Sequence, residues 1–271
     1  MRQVRTSSSP RFVPAAALTV AVAGVLLSTA YANNDTPNAR PQLLIGVDDD
    51  KLENTALQAG AVTNQSLNRT DILSGGAANE VMFGLNGNDF MDGRAGRDII
   101  LGGPDGGTPP GGPPNSDIML GGSGNDVNLW AGGDGSEVFI GESGSRDALV
   151  FGATDRELIA DPLTGVRLPT LLAGIPGFPK GIPTADVSSG TSFCTVEVSP
   201  LPEYEFLVRF LGVAGNLIVT VRVSGVEQVF CSGQGGGAIT FADLNDPFPS
   251  FVVVSHQEVT QLNWLVGKMI R

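Results

Sequence analysis

The amino-acid sequence predicts an all-β chain: a parallel β-roll of nine-residue repeats followed by a small antiparallel β-sandwich or barrel. Three observations predict it. Glycine and acidic residues recur on a nine-residue frame from Ser66 to Gly152. Most frames end in a short apolar triplet, the length of one roll strand. Beyond Ala185, apolar residues alternate with polar ones over strand-length segments.

The amino-terminal residues stand outside this fold. Arg2, Arg5 and Arg11 precede an apolar stretch from Ala15 to Leu27, and Ala30 and Ala32 have the spacing that a signal peptidase reads. Residues 1–32 are therefore expected to be a cleaved signal peptide, which predicts a secreted, extracellular protein, free or at the cell surface. The apolar run is short for a bilayer span, and no later segment is longer, so membrane insertion is not expected. Cleavage takes the formal charge from −12 to −15. That acidic balance argues against nucleic acid and favours cations as partners. Residues 33–65 read as a polar linker with one strand candidate at Leu43 to Val47.

Residues 66–152 carry the repeats. The frames are SLNRTDILS from Ser66, GGAANEVMF from Gly75, GLNGNDFMD from Gly84, GRAGRDIIL from Gly93 and GGPDGGTPP from Gly102. A ten-residue GGPPNSDIML follows from Gly111, then GGSGNDVNL from Gly121 and, after Trp130 and Ala131, GGDGSEVFI from Gly132. A frayed ESGSRDALVFG closes the series at Gly152. The glycines suit tight turns and the triplets suit strands. Strand, turn, strand, turn gives a flattened coil of two repeats per circuit, 18 residues, and four circuits. The eighth position should face in: Leu73, Met82, Met91, Ile100, Met119 and Phe139. Its neighbours should face out, yet include Val81, Phe83, Phe90, Ile99, Ile118 and Leu120. A stripe that apolar calls for a cover, either the C-terminal segment or another protein.

The sixth position is acidic almost throughout: Asp71, Glu80, Asp89, Asp98, Asp117, Asp126 and Glu137, with Asp147 one step out of frame. At 18 residues per circuit, one edge is expected to stack Asp71, Asp89 and Asp126, and the other Glu80, Asp98, Asp117 and Glu137. Carboxylates ~5 Å apart repel by about 3 kcal/mol at an effective dielectric of 20. The segment holds 12 acids against 4 arginines, so it cannot neutralise itself. A divalent ion can, and the donors select which. The repeats offer carboxylates and glycine carbonyls but no histidine or cysteine, which disfavours zinc and copper. Calcium accepts six to eight oxygens in irregular geometry, whereas magnesium demands a tight octahedron.

GLNGNDFMD, GRAGRDIIL, GGSGNDVNL and GGDGSEVFI resemble the GGxGxDxUx pattern of the haemolysin-type calcium-binding repeats, also called repeats-in-toxin. The resemblance implies a parallel β-roll with Ca2+ held between turns of successive circuits. Its carboxylate ligands would be the sixth-position acids, and its carbonyl donors map onto Gly87, Gly93, Gly96, Gly121, Gly122, Gly124 and Gly133. The departures are Glu80 and Glu137 for aspartate, Ala78 for glycine, the missing acid after Gly102, and Asn128 at an apolar position. The best sites are accordingly expected at Asp71/Asp89 and Asp98/Asp117, with weak or missing ones beside residues 102–114.

Residues 153–184 read as a proline- and glycine-rich connector, and residues 185–271 as the antiparallel β domain. Tyr204, Phe206, Val208 and Phe210 share one face, as do Leu217, Val219, Val221 and Val223 on the next strand. Cys194 and Cys231 are an even pair in an exported chain, which favours a disulfide over two buried thiols. Catalytic signals are sparse. His256 is the one histidine, so an HExxH zinc site cannot form, and neither GESGS nor GGSGN completes a GxSxG elbow. The sequence points to a calcium-stabilised structural or binding module, with another protein or a surface glycan as partner. The alternative is a secreted hydrolase or polysaccharide-modifying enzyme that carries the roll as an accessory.

Overall fold

The computed structural model describes residues 29–30, 43–45, 72–84, 88–103, 116–132, 134–154, 158–160, 167–169, 177 and 183–270. The expected signal peptide, apart from Thr29–Ala30, and the linker, apart from Leu43–Ile45, lie outside the described residues, as do Asp71, Gly87 and Gly133.

Two 8-stranded sheets build the fold. The first runs Thr29–Ala30, Ile72–Ser74, Phe90–Asp92, Ile118–Leu120, Val138–Ile140, Leu217–Ser224, Phe206–Leu211, Phe193–Val198. The second runs Leu43–Ile45, Val81–Phe83, Ile99–Leu101, Val127–Trp130, Ala148–Phe151, Gln228–Ser232, Ile239–Asp243, Val252–Val254. The apolar triplets are the strands, and successive circuits pair in parallel, as at Met91 opposite Met119 and Met82 opposite Ile100. The C-terminal strands extend the same sheets. Val138–Ile140 pairs in parallel with Leu217–Ser224, and Ala148–Phe151 with Gln228–Ser232. From there both sheets turn antiparallel. Neither sheet closes on itself, so the C-terminal half is the open sandwich rather than the barrel.

One expectation is corrected. The frame beginning at Gly102 was counted as half a circuit, but among the described residues no strand lies between Ile99–Leu101 and Ile118–Leu120. Phe90 pairs directly with Ile118, 28 residues on. The reason is chemical: Pro109, Pro110, Pro113 and Pro114 have no N–H to give a parallel ladder, which needs a donor at every second residue. The ten extra residues therefore add no rung to the first sheet, and the acid that follows them is Asp117.

Two apolar clusters follow from the alternation along each strand. The first fills the space between the sheets. Leu73, Met82, Met91, Ile100, Met119 and Phe139 lie there at 0–1% exposure, and Val208, Val221, Val223 and Val229 continue the cluster into the sandwich. The second lies on the outer face of the second sheet. Val81, Ile99, Leu101, Leu129 and Val150 pack there in one cluster with Val259, Leu265, Val266 and Met269 of two short helices. The C-terminal residues thus cover one of the two apolar outer stripes. Among the described residues nothing covers the other, where Ile118 is 44% exposed and Phe90, Leu120, Val138 and Ile140 are half-buried.

The helices, His256–Leu262 and Trp264–Met269, replace part of the all-strand reading of residues 185–271. Their signal was present: Ser255 and Glu258 form a capping box, each side chain bonding the other's backbone N–H. His256 begins the first helix, and its Nε2 meets the Ile270 carbonyl oxygen at 3.1 Å. Cys194 and Cys231 are bonded, with Cα atoms 6.1 Å apart, and join a strand of the first sheet to a strand of the second.

Candidate metal centre

The acids line the two long edges of the roll, each one just before a strand. Backbone register decides which acids share an edge. Asp98 Oδ1 accepts the Glu80 N–H, Asp126 Oδ1 that of Asp98, and Asp147 Oδ1 that of Asp126, all at 2.7 Å. On the other edge Asp117 Oδ1 accepts the Asp89 N–H at 2.7 Å, and the Val138 N–H donates to the Asp117 carbonyl, which places Glu137 next. The expected partition is therefore corrected. Asp126 joins the edge of Glu80 and Asp98, and Asp117 and Glu137 join that of Asp89, because Phe90 pairs directly with Ile118 and the ten extra residues add no rung between them. Asp98 stacks on Asp126 rather than on Asp117.

Asp98, Asp117, Asp126 and Asp147 each spend one oxygen on the circuit before, whereas Glu80 Oε2 accepts the Gly76 N–H of its own turn at 3.2 Å. The other oxygen turns inward. Glu80, Asp98, Asp126 and Asp147 are fully buried, and Glu80 Oε1 and the three Oδ2 atoms have no hydrogen-bond partner. A buried carboxylate oxygen without a donor costs several kcal/mol unless a proton or a cation meets it. The acidities report this. Burial, reinforced by the Asp126 charge, pushes Asp98 up to about 10. Burial likewise pushes Asp126 to about 7 and Asp147 to about 8, and raises Glu80 above the usual range.

Glycine makes room for these oxygens. A Cβ on Gly93 would sit 2.5 Å from Asp98 Oδ2 and 2.6 Å from the Gly121 carbonyl oxygen. One on Gly121 would sit 2.7 Å from Asp126 Oδ2, and one on Gly84 would sit 2.5 Å from Asp89 Oδ2. Gly96, Gly122 and Gly124 have φ of +134°, +95° and +152°, and their missing side chains would overlap carbonyls of Ala78, Arg94 and Gly96 one circuit away. Arg94 and Glu142 take φ of 66° and 64° on the same column, at the positions where the repeat pattern has its second glycine. Gly102 faces two acids at once, Asp117 and Glu137. Among the described residues no three His, Cys, Asp or Glu side chains gather as a metal-binding group. The space is thus lined by single carboxylates and backbone carbonyls, a donor set that fits calcium.

The RTX calcium-binding nonapeptide repeat family matches residues 70–108 and 115–127, in 4 copies. The chain carries RTX calcium-binding repeats. No curated protein and no solved structure matches the chain. The RTX match breaks at residues 109–114, between the Ile99–Leu101 and Ile118–Leu120 strands. The RTX repeats are calcium-binding, and an ion held among these carboxylates would supply the positive charge that lets them stay ionised.

Two acids on this edge escape the RTX frame. Asp147 is displaced by the extra residue Arg146, yet its carboxylate occupies the next rung after Asp126. Glu227 reads as an outward strand residue, yet it is half-buried and its Oε2 accepts the Asp147 N–H at 2.8 Å. The Ser224-Gly225 turn just before Glu227 was the available signal. Glu197, Glu203, Glu205 and Glu258 are exposed.

Proposed function

We propose that the chain is an exported module that folds around calcium and serves as a structural or binding element rather than as an enzyme. The observation that carries this reading is the ladder Glu80–Asp98–Asp126–Asp147, in which each carboxylate buries one oxygen without a donor and the Oδ2 atoms of the three aspartates face glycine turns. The carboxylate ligands would be those four acids, with Asp89, Asp117 and Glu137 on the opposite edge. The carbonyl donors would come from the position-one and position-four glycines, Gly93, Gly96, Gly121 and Gly124. Export would use the signal peptide and remove the Thr29–Ala30 strand with it, leaving Ile72–Ser74 to begin the first sheet's roll. Two continuous sheets, covered by helices on one side only, suit a rigid support that offers its open face to a protein or a glycan.

Circular dichroism and gel filtration across a calcium titration test the folding claim. The expected result is a gain in β signal, compactness and melting temperature near millimolar calcium, over a less ordered chain that still melts cooperatively in chelator, and reversed by chelator. An unchanged spectrum and elution volume in excess chelator would overturn it. Sequencing the amino terminus of protein released into the medium tests export, with Asn33 expected first.

A further inference from the structure

The acidic edge does not stop where the repeats do. In the second sheet, Ala148–Phe151 is followed by Gln228–Ser232, and the turn leading into that strand is Ser224 to Glu227. It lies outside the matched repeats, 80 residues beyond Asp147. Nevertheless it repeats the contacts by which one repeat turn rests on another.

Three matched pairs of bonds show this. Between repeats, the Gly121 N–H donates to the Ile140 carbonyl, and between repeat and hairpin the Gly141 N–H donates to the Ser224 carbonyl. The Ala148 N–H donates to the Asp126 carbonyl, and the Gln228 N–H donates to the Asp147 carbonyl. The Asp126 N–H donates to Asp147 Oδ1, and the Asp147 N–H donates to Glu227 Oε2. The glycine column continues as well. A side chain on Gly141 would lie 2.7 Å from Asp147 Oδ2 and would overlap the Gly225 carbonyl oxygen, as one on Gly93 would crowd Asp98 and the Gly121 carbonyl. Gly225 has φ of +62°, and its own side chain would press on the Glu142 backbone. Glu205 Oε2 holds the turn by accepting the Gly225 N–H at 2.9 Å.

The inward oxygen decides what this copy of the turn is for. Asp147 is fully buried, and its Oδ2 points into the gap between the Gly141 and Gly225 turns with no hydrogen-bond donor. We propose that Asp147, Glu227 and the Gly225 carbonyl form a terminal calcium site that clamps the C-terminal sandwich onto the last circuit of the roll. It rests on the calcium reading of the roll, and adds a site that half belongs to residues outside any repeat. The ion there would add a charged link between segments already joined by sheet pairing and by the Asp147–Glu227 and Asn263 bonds, so calcium would order the sandwich junction together with the roll.

Radioactive calcium in equilibrium dialysis against the full chain tests this, comparing wild type with Glu227→Gln. Glutamine keeps an acceptor for the Asp147 N–H and removes the charge. The expected result is one ion fewer per chain, or one site weakened at least tenfold, with the other sites unchanged and Glu203→Gln indistinguishable from wild type. Full stoichiometry and affinity in Glu227→Gln would overturn the terminal site. Hydrogen exchange on the wild type gives a reading that does not depend on any variant folding. Calcium should slow the amides of Gly141, Asp147 and Gln228 together with those of Asp98 and Asp126. If calcium protects the second group and leaves the first unchanged, the terminal site is refuted while the roll reading stands. If wild type binds no calcium at all, both fall.

Discussion

Asp126 carries two opposed duties, and an asparagine in its place separates them. Its Oδ1 bonds the Asp98 N–H while its Oδ2 is buried without a donor. Asp126→Asn keeps the first contact and removes the charge. Calcium affinity is expected to fall at least about tenfold, ~1.4 kcal/mol, while the melting temperature in chelator at pH 8 should rise, because a buried charge has been removed. Paired titrations and melts check both signs. The same logic sets a pH dependence. Asp98, Asp126 and Asp147 have folded acidities raised to about 10, 7 and 8, above the ordinary carboxylate value. Without metal the folded chain therefore holds protons that the unfolded chain has released. That stability is fully present below the unfolded value near pH 4 and is lost as pH climbs through 7 to 10. Melting in chelator should thus fall steadily from pH 5 to pH 9, and calcium should remove most of that slope. Gly93→Ala would place a methyl group against Asp98 Oδ2 and the Gly121 carbonyl. It is expected to abolish the adjoining calcium site, read as lost stoichiometry. The acid positions were legible residue by residue, because a fixed period names them. Glu227 was not, since its rung depends on a pairing across 80 residues that no local pattern encodes.

At the level of strands and turns, Val127–Trp130 holds the clearest local conflict. Asn128 is fully buried between Ile100 and Leu149, with Nδ2 set 2.9 Å from Met119 Sδ and Oδ1 lacking a partner. Replacing it with leucine should stabilise the chain by about 1–2 kcal/mol, equally with calcium and with chelator, as measured by urea unfolding. The triplet strands and inward eighth positions could be read from periodicity, since each triplet is bounded by glycine. The assignment of acids to edges failed because nine-residue spacing alone counted GGPDGGTPP as a half-circuit. Proline content was the better guide, because a backbone without N–H groups cannot join a parallel ladder. The two helices were missed for a related reason. Val252–Val254 drew attention to strand character, while Ser255 and Glu258 just after it already spelled a helix start.

Across the whole molecule, two sheets run unbroken from roll to sandwich, and that continuity was hidden from the sequence. Alternation identifies the C-terminal strands, but only long-range pairing places Leu217–Ser224 beside Val138–Ile140 and Gln228–Ser232 beside Ala148–Phe151. The Cys194–Cys231 bond ties the two sheets together at that end, closing a separation of 37 residues. Replacing both cysteines with serine is expected to cost about 4 kcal/mol from the loop-closure relation. Because the bond touches none of the acidic turns, the loss should be the same in calcium and in chelator when followed by denaturant melts. A covalent pin at the far end also gives the coil a direction of assembly. A chain entering calcium already cross-linked there presents Leu217–Ser224 and Gln228–Ser232 as two ready templates, one for each face. Winding then proceeds from the carboxyl side backwards, each circuit laid on the one before it in space but after it in sequence. Pulse-labelled amides of Val138–Ile140 and Ala148–Phe151 should become protected ahead of those of Ile72–Ser74.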